Sequence, residues 1–238
     1  MRIPSSASFQ KIFDLAGVRK YVIQVSLILL SLAIATSVDR CRERAKNEDK
    51  LQAYLTSIRA DIATEIQTDR TNLYDCQRDQ HCLEKALRLI AGQQTDSSRL
   101  ILQNIQEVLM RGVFRDFHPT TYELMAQTGD ANLLKNLQLR NQLASVFAFR
   151  QNVIKKDFED FDQETHDCMA QLGQFIDFLK MYSPDPSQVF VDRKGFWTTP
   201  RNEIYLLARS ADIKAFHLSN AIEDLQQLQT AMDAKIKK

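Results

Sequence analysis

The sequence predicts an all-α protein, in which an N-terminal transmembrane helix continues into an elongated antiparallel four-helix bundle. Three observations carry that expectation. From Tyr21 to Val38 the chain reads YVIQVSLILLSLAIATSV and holds no charged residue, and a spanning helix needs about 20 mostly apolar residues. Gly (6) and Pro (5) are scarce in the 238 residues, so few tight turns can be built and long helices follow. Beyond the span, apolar residues recur at steps of three and four, the helical period.

Ala16, Gly17 and Val18 lengthen the span, and Arg19 and Lys20 can snorkel to the interface. A cleaved signal peptide is a second reading, because Ala33-Ile34-Ala35 has the small-x-small form of a cleavage site. The long leading segment and the apolar run past that site favour an anchor. A buried helix of a soluble domain is a third reading, but the run lacks the polar face such a helix carries. Gln24 is an interaction candidate: its amide can bond to a neighbouring helix, or to water and headgroups at the interface. Phe9, Ile12, Phe13 and Ala16 share a face and read as a short interfacial helix. Basic residues flank the span on both sides; the acidic Asp39, Glu43, Glu48 and Asp49 dilute the second group, which favours a cytoplasmic N-terminus. The chain therefore divides into residues 1–20 (cytoplasmic or interfacial), 21–38 (transmembrane) and 39–238 (bundle, on the far side of the membrane from the cytoplasm).

Four long helices are expected, at about 42–74, 82–113, 137–181 and 201–236. Leu51, Leu55, Ile58, Ile62, Ile66 and Leu73 mark the face of the first, and Asp75 to Gln80 reads as a polar break after it. Leu83, Ala86, Leu87 and Ile90 open the second, with a weak point at Gly92 to Asp96 before Ile101, Ile105, Val108 and Leu109. Residues 114–136 are irregular: His118-Pro119-Thr120 reads as a turn, Thr120 or Thr121 caps a short helix, and Gly129 stops it. The third helix carries a 3.5-residue repeat, Ile154, Phe158, Phe161, Thr165, Cys168, Leu172, Phe175 and Leu179. Ser183-Pro184-Asp185-Pro186 ends it, and a tip loop spans 182–200. Pro200 then opens the last helix, with Ile204, Leu207, Ala211, Leu218, Ile222, Leu225 and Met232 on its apolar face.

Arg19-Lys20-Tyr21 opening the span, the charged amphipathic stretch 42–73, and a block formed by His118-Pro119-Thr120-Thr121-Tyr122-Glu123-Leu124, Gly129, Leu133-Leu134, Asn136 and Leu139-Arg140 together resemble a bacterial single-pass membrane protein family. That family is named for a domain of unknown function and is common in Bacteroidetes. The resemblance covers about residues 19–180 and implies an N-terminal anchor and a helical domain, with no activity attached. The span departs from the family in carrying Gln24-Val25-Ser26 where a Gly-Glu pair is usual.

Charge and motifs exclude more than they assign. With 31 basic and 30 acidic residues interspersed, the net charge is +1; no basic excess marks a nucleic-acid surface. The sequence contains no G-x-S-x-G, phosphate-binding glycine loop or H-E-x-x-H, so it does not read as an enzyme. Cys76, His81, Cys82, His166 and Cys168 are zinc-ligand types, but Cys-x4-His-Cys fits no closed tetrahedral motif, and neither metal nor cofactor is expected. Cys76 and Cys82 flank the expected break and are a disulfide candidate in an oxidising compartment, with two free thiols as the alternative. Cys168 lies in the seam as a small buried residue, and the acidic run 157–167 reads as a solvated face. Phe190, Phe196 and Trp197 either anchor a partner or fold back to plug the bundle end.

The resulting expectation is a membrane-anchored, non-enzymatic accessory or scaffold protein. Its partners would be the bilayer and either a membrane protein or further copies of itself. A ligand-sensing extracytoplasmic bundle that signals through a partner, and a secreted helical protein released by cleavage, are the alternatives.

Overall fold

The computed structural model of the chain describes residues 15–111, 117 and 120–236. The expected interfacial face Phe9–Phe13, the His118-Pro119 part of the turn and the terminal Lys237-Lys238 lie outside these residues. The protein is all-α: no strand occurs among the described residues, and an isolated bridge between Ile176 and Phe190 is the one extended pairing there. Two compact units are present, Met1–Ala53 and Tyr54–Lys238.

Helix α1 runs from Leu15 to Ala91. In the first unit its side chains from Lys20 to Lys50 are exposed, including every large apolar residue of the span. Among the described residues one helix is long and apolar enough to cross a membrane. Two serine hydroxyls bond one turn back, Ser31 Oγ to the Leu27 carbonyl at 2.8 Å and Ser37 Oγ to the Ala33 carbonyl at 2.7 Å. That leaves them satisfied without water, as a hydrocarbon setting requires.

The second unit corrects two expected boundaries. No break occurs at Asp75–Gln80; the helix passes straight through and stops at Ala91. Polar residues alone do not end a helix, and no Gly or Pro stands there. The stop falls at the weak point. Gln93 adopts a left-handed φ of 49°, and Gln94 N–H donates to the Leu89 carbonyl at 3.1 Å, a Schellman-type closure. Helix α2 follows at Ser98–Leu109.

Thr120 caps α3 (Thr121–Gln127) in a full capping box with Glu123. Gly129, at φ 79°, stops that helix, and Asn136 caps α4 (Leu137–Phe149) through the Leu139 N–H at 2.8 Å. One π turn, Arg150–Ile154, joins α4 to α5 (Lys155–Leu172). The long third helix therefore ends at Leu172 rather than Met181. Gly173 interrupts it, the chain folds back so that Ile176 meets Phe190, and Leu179, the last expected seam residue, is 93% exposed.

The short helix α6 (Arg193–Phe196) is capped by Asp192, whose Oδ1 accepts from Gly195 N–H at 2.9 Å. Helix α7 runs from Arg201 to Ile236, and each of its seven expected face residues is buried. As α1 advances, its partners on α7 step backwards: Arg59 pairs with Asp233, Gln80 with Asp212, and the Ile90 carbonyl with Arg201.

A buried polar seam on α1

One stripe of α1 from Ile58 to Ile90 is formed by Ile58, Ile62, Glu65, Asp69, Asn72, Cys76, Asp79, Leu83, Ala86 and Ile90, with the buried Ile66 and Cys82 beside it. The steps alternate four and three without a miss, so all ten lie on one stripe. The five central positions are polar or weakly polar, yet Asp69, Cys76 and Asp79 are buried. Such groups are costly in a core unless matched, and for Glu65 and Asp79 the matches come from elements far away in sequence.

Glu65 takes a bidentate pair from Arg150, Nε to Oε2 at 3.1 Å and Nη2 to Oε1 at 2.7 Å. Arg150 opens the π turn, and its guanidinium also stands 5.3 Å from the Phe117 ring centroid. Nearby, Asp61 accepts the Thr121 N–H at 2.7 Å, and Gln151 bonds Glu123 at 2.6 Å. Asp130 accepts the Tyr54 hydroxyl, also at 2.7 Å. The segment around α3 is tied to α1 by these polar contacts.

At the other end of the seam Asp79 meets Arg111 at 2.6 Å, while Arg111 also reaches Glu107 at 3.3 Å and Asp75 at 3.6 Å. Burial pushes the Asp79 carboxyl up to about 6, against the pull of Arg111 and Lys214. Between the two ion pairs sits Lys214, 1% exposed. Its Nζ is 3.6 Å from the Phe161 ring centroid and 4.7 Å from that of Phe158. It has no full hydrogen bond among the described residues, although it lies close enough to the Cys76 thiol for the two to couple. Burial lowers the Lys214 pKa and pushes the Cys76 thiol up to about 11. One turn further on, His217 Nδ1 is 2.8 Å from Asp157 Oδ2. Burial raises Asp157, while His217 draws it back down.

Cys76 stays a thiol and so lacks the thiolate a nucleophile needs. No group of three metal-ligating side chains occurs among the described residues. Buried charges on a heptad seam select one pairing of helices over others.

The residues singled out from sequence fare differently. Cys76 and Cys82 are both free, buried, and on the same unbroken helix. Six residues of helix separate them by about 9 Å along the axis, beyond the roughly 7 Å limit for Cα atoms of a disulfide; the expected bridge is corrected. Phe196 and Trp197 are buried in the main core and Phe190 is half-buried, with Phe196 edge-on to both Phe190 (5.1 Å) and Trp197 (5.8 Å). They plug the core instead of presenting a partner anchor. Gln24 is exposed on the span. Cys168 is a buried seam residue with its thiol pushed up to about 12. Of the acidic run, Asp157 turns inward to His217 and the others lie exposed or half-exposed. Sequence reading missed Glu65, Asp69, Asp79, Arg150 and Lys214; the signal available was the four–three stepping, which runs through Asp75–Gln80 without a slip.

No family model, curated protein or solved structure matches the chain.

Proposed function

We propose that the chain is a membrane-anchored, non-enzymatic helical protein that serves as an accessory or scaffold in a membrane assembly. The observation that carries this reading is the span: its apolar side chains are exposed without exception from Tyr21 to Val38, while the hydroxyls of Ser31, Thr36 and Ser37 bond their own helix. Water is a poor solvent for that surface and lipid a good one. An antiparallel four-helix arrangement of α1, α2, α4–α5 and α7 fits the reversed stepping of contacts between α1 and α7. The buried seam supports a structural role, since its ion pairs, Glu65 with Arg150 and Asp79 with Arg111, join elements far apart in sequence. The location is the inner membrane of a bacterium, with the bundle in the periplasm.

Carbonate washing of membranes from cells expressing the full chain tests the anchor: the protein is expected to stay with the vesicles, and its release into the supernatant overturns the reading. Purification in mild detergent tests the assembly, with a stoichiometric membrane partner or a homo-oligomer expected and a lone monomer counting against it.

A further inference from the structure

Within the first unit, α1 carries a second stripe that runs through the span and out of it. Gln24, Leu27, Ser31, Ile34, Val38, Cys41, Ala45 and Glu48 follow steps of three and four, the a and d positions of a coiled coil, and all are exposed. The stretch beyond the span selects this phase. Nine of the twelve residues from Asp39 to Lys50 are charged, and Glu48 alone of them falls on the stripe. Each of the other six heptad phases puts at least two charges on its stripe between Val38 and Gln52. A helix otherwise charged all round thus keeps one nearly uncharged strip in line with the span, the surface another helix packs on.

Direction and charge name that helix. Two copies anchored in one bilayer through the same span enter it from the same side, so a contact between their spans is parallel. Parallel pairing in register sets each seam residue against its own counterpart. Ser31 and Ala45 are small enough for close approach, and the Gln24 amide meets the Gln24 amide of the second copy, a hydrogen bond that lipid tails cannot supply. Beside the seam, Arg44 takes a g position and Asp49 the e position of the following heptad, the two that meet across a parallel pair. A dimer therefore gains two opposite-charge contacts, Arg44 with Asp49 of the second copy and the reciprocal. The flanking g and e positions, Ser37 with Arg42 and Leu51 with Thr56, bring no like charges together. Glu48 is the one like-charge contact, and it marks the open end of the seam.

We infer that a second copy of this chain pairs in parallel along the Gln24–Glu48 seam of α1. This rests on the anchor and deepens the assembly reading by naming the partner; carbonate retention reads the anchor by itself, so the two fail separately.

The test uses membranes from cells expressing the full chain, treated with oxidised glutathione and run without reductant. Cys41 is the exposed cysteine, and the other three are buried. Parallel pairing cross-links the wild-type chain into dimers at Cys41. In a Cys41→Ser background, Ala45→Cys on the seam is expected to cross-link as well, and Glu43→Cys on the outer face at least tenfold less. Equal cross-linking at all three positions means random collision, and failure at either seam position means no pairing along this face; each result overturns the inference. With Cys41 restored as the reporter, Arg44→Asp and Asp49→Arg are each expected to lower the cross-linked fraction about threefold or more, and the double reversal to restore it. Four equal fractions also overturn the inference. Both charged positions lie beyond the span, so loss of the dimer with retention in carbonate-washed membranes leaves the anchor standing.

Discussion

Lys214 places its Nζ 3.6 Å from the centre of the Phe161 ring, at a depth where the residue is 1% exposed. A cation over an aromatic face gains about 2 kcal/mol when desolvated. That is less than the cost of burying an ammonium whose protons lack acceptors. Lys214→Met keeps the stem and removes the charge, and is expected to raise stability by about 1–3 kcal/mol in urea unfolding at pH 7. The lowered pKa of Lys214 adds a pH signature. Between its folded value and the ordinary lysine value of 10.5 the unfolded chain holds more protons, so wild-type stability rises with pH in that window. The variant should lose that rise; an equal alkaline slope in both proteins would refute the assignment.

Asp79 works in the opposite sense. Its folded value is about 6 against the ordinary aspartate value of 3.8, so the folded state holds the proton more tightly. This group's contribution is greatest below pH 3.8 and is lost as pH rises to about 6, an effect on the order of 2–3 kcal/mol. Asp79→Asn should flatten the stability profile between those two values, measured as the denaturant midpoint across a pH series.

Thiol titration checks the cysteine assignment. Cys41 is exposed and Cys76, Cys82 and Cys168 are buried and free. At pH 8 burial holds Cys76 and Cys168 as thiols, far below the about 11 and about 12 at which they ionise. One thiol should react rapidly with an aromatic disulfide reagent in the native protein and all four in denaturant without reductant. Two reactive thiols in denaturant would mean a bridge exists.

Much of this architecture is legible in the chain, and the exceptions share a cause. The last helix starts at Arg201, directly after Pro200, and buries the face its spacing marks. The Thr120 cap and the Gly129 stop also sit where short-range rules put them. Those signals are local, each lying within a turn or two of the residue it governs. The seam is not local: Glu65 is matched by Arg150, 85 residues on. Read alone, Asp75 to Gln80 looks like a loop because nothing nearby pairs its charges. The third helix fails for the converse reason. Its period continues past Gly173, and a residue costing about 1 kcal/mol in a helix interior decides where it stops.

The Schellman-type closure after α1 puts a glutamine where glycine is favoured. Gln93 holds φ at 49°, a region that costs a side-chain-bearing residue about 1–2 kcal/mol. Gln93→Gly is expected to raise the thermal midpoint, with a stability gain of about 0.5–1 kcal/mol after the added freedom of the unfolded chain is subtracted.

Gly195 has the reverse requirement. A Cβ there would lie 2.8 Å from the Phe175 ring and collide with the Asp192 carboxylate that caps α6. Gly195→Ala should destabilise the protein by about 1–3 kcal/mol and loosen the Trp197 environment, visible as a red shift of its fluorescence; an unshifted spectrum with unchanged stability would show that the neighbours yield.

The order of side chains along α1 also bears on how the chain avoids folding wrongly. Were α1 to settle seven residues out of place, an equally helical and almost equally greasy alignment, Arg150 would face Ile58 or Asn72 in place of Glu65, and Arg111 would face Asn72 or Ala86 in place of Asp79. Each misfit strands a buried ion at a cost of about 3–5 kcal/mol. Shifted intermediates of that kind should be shallow and brief, so the chain proofreads its own alignment during assembly.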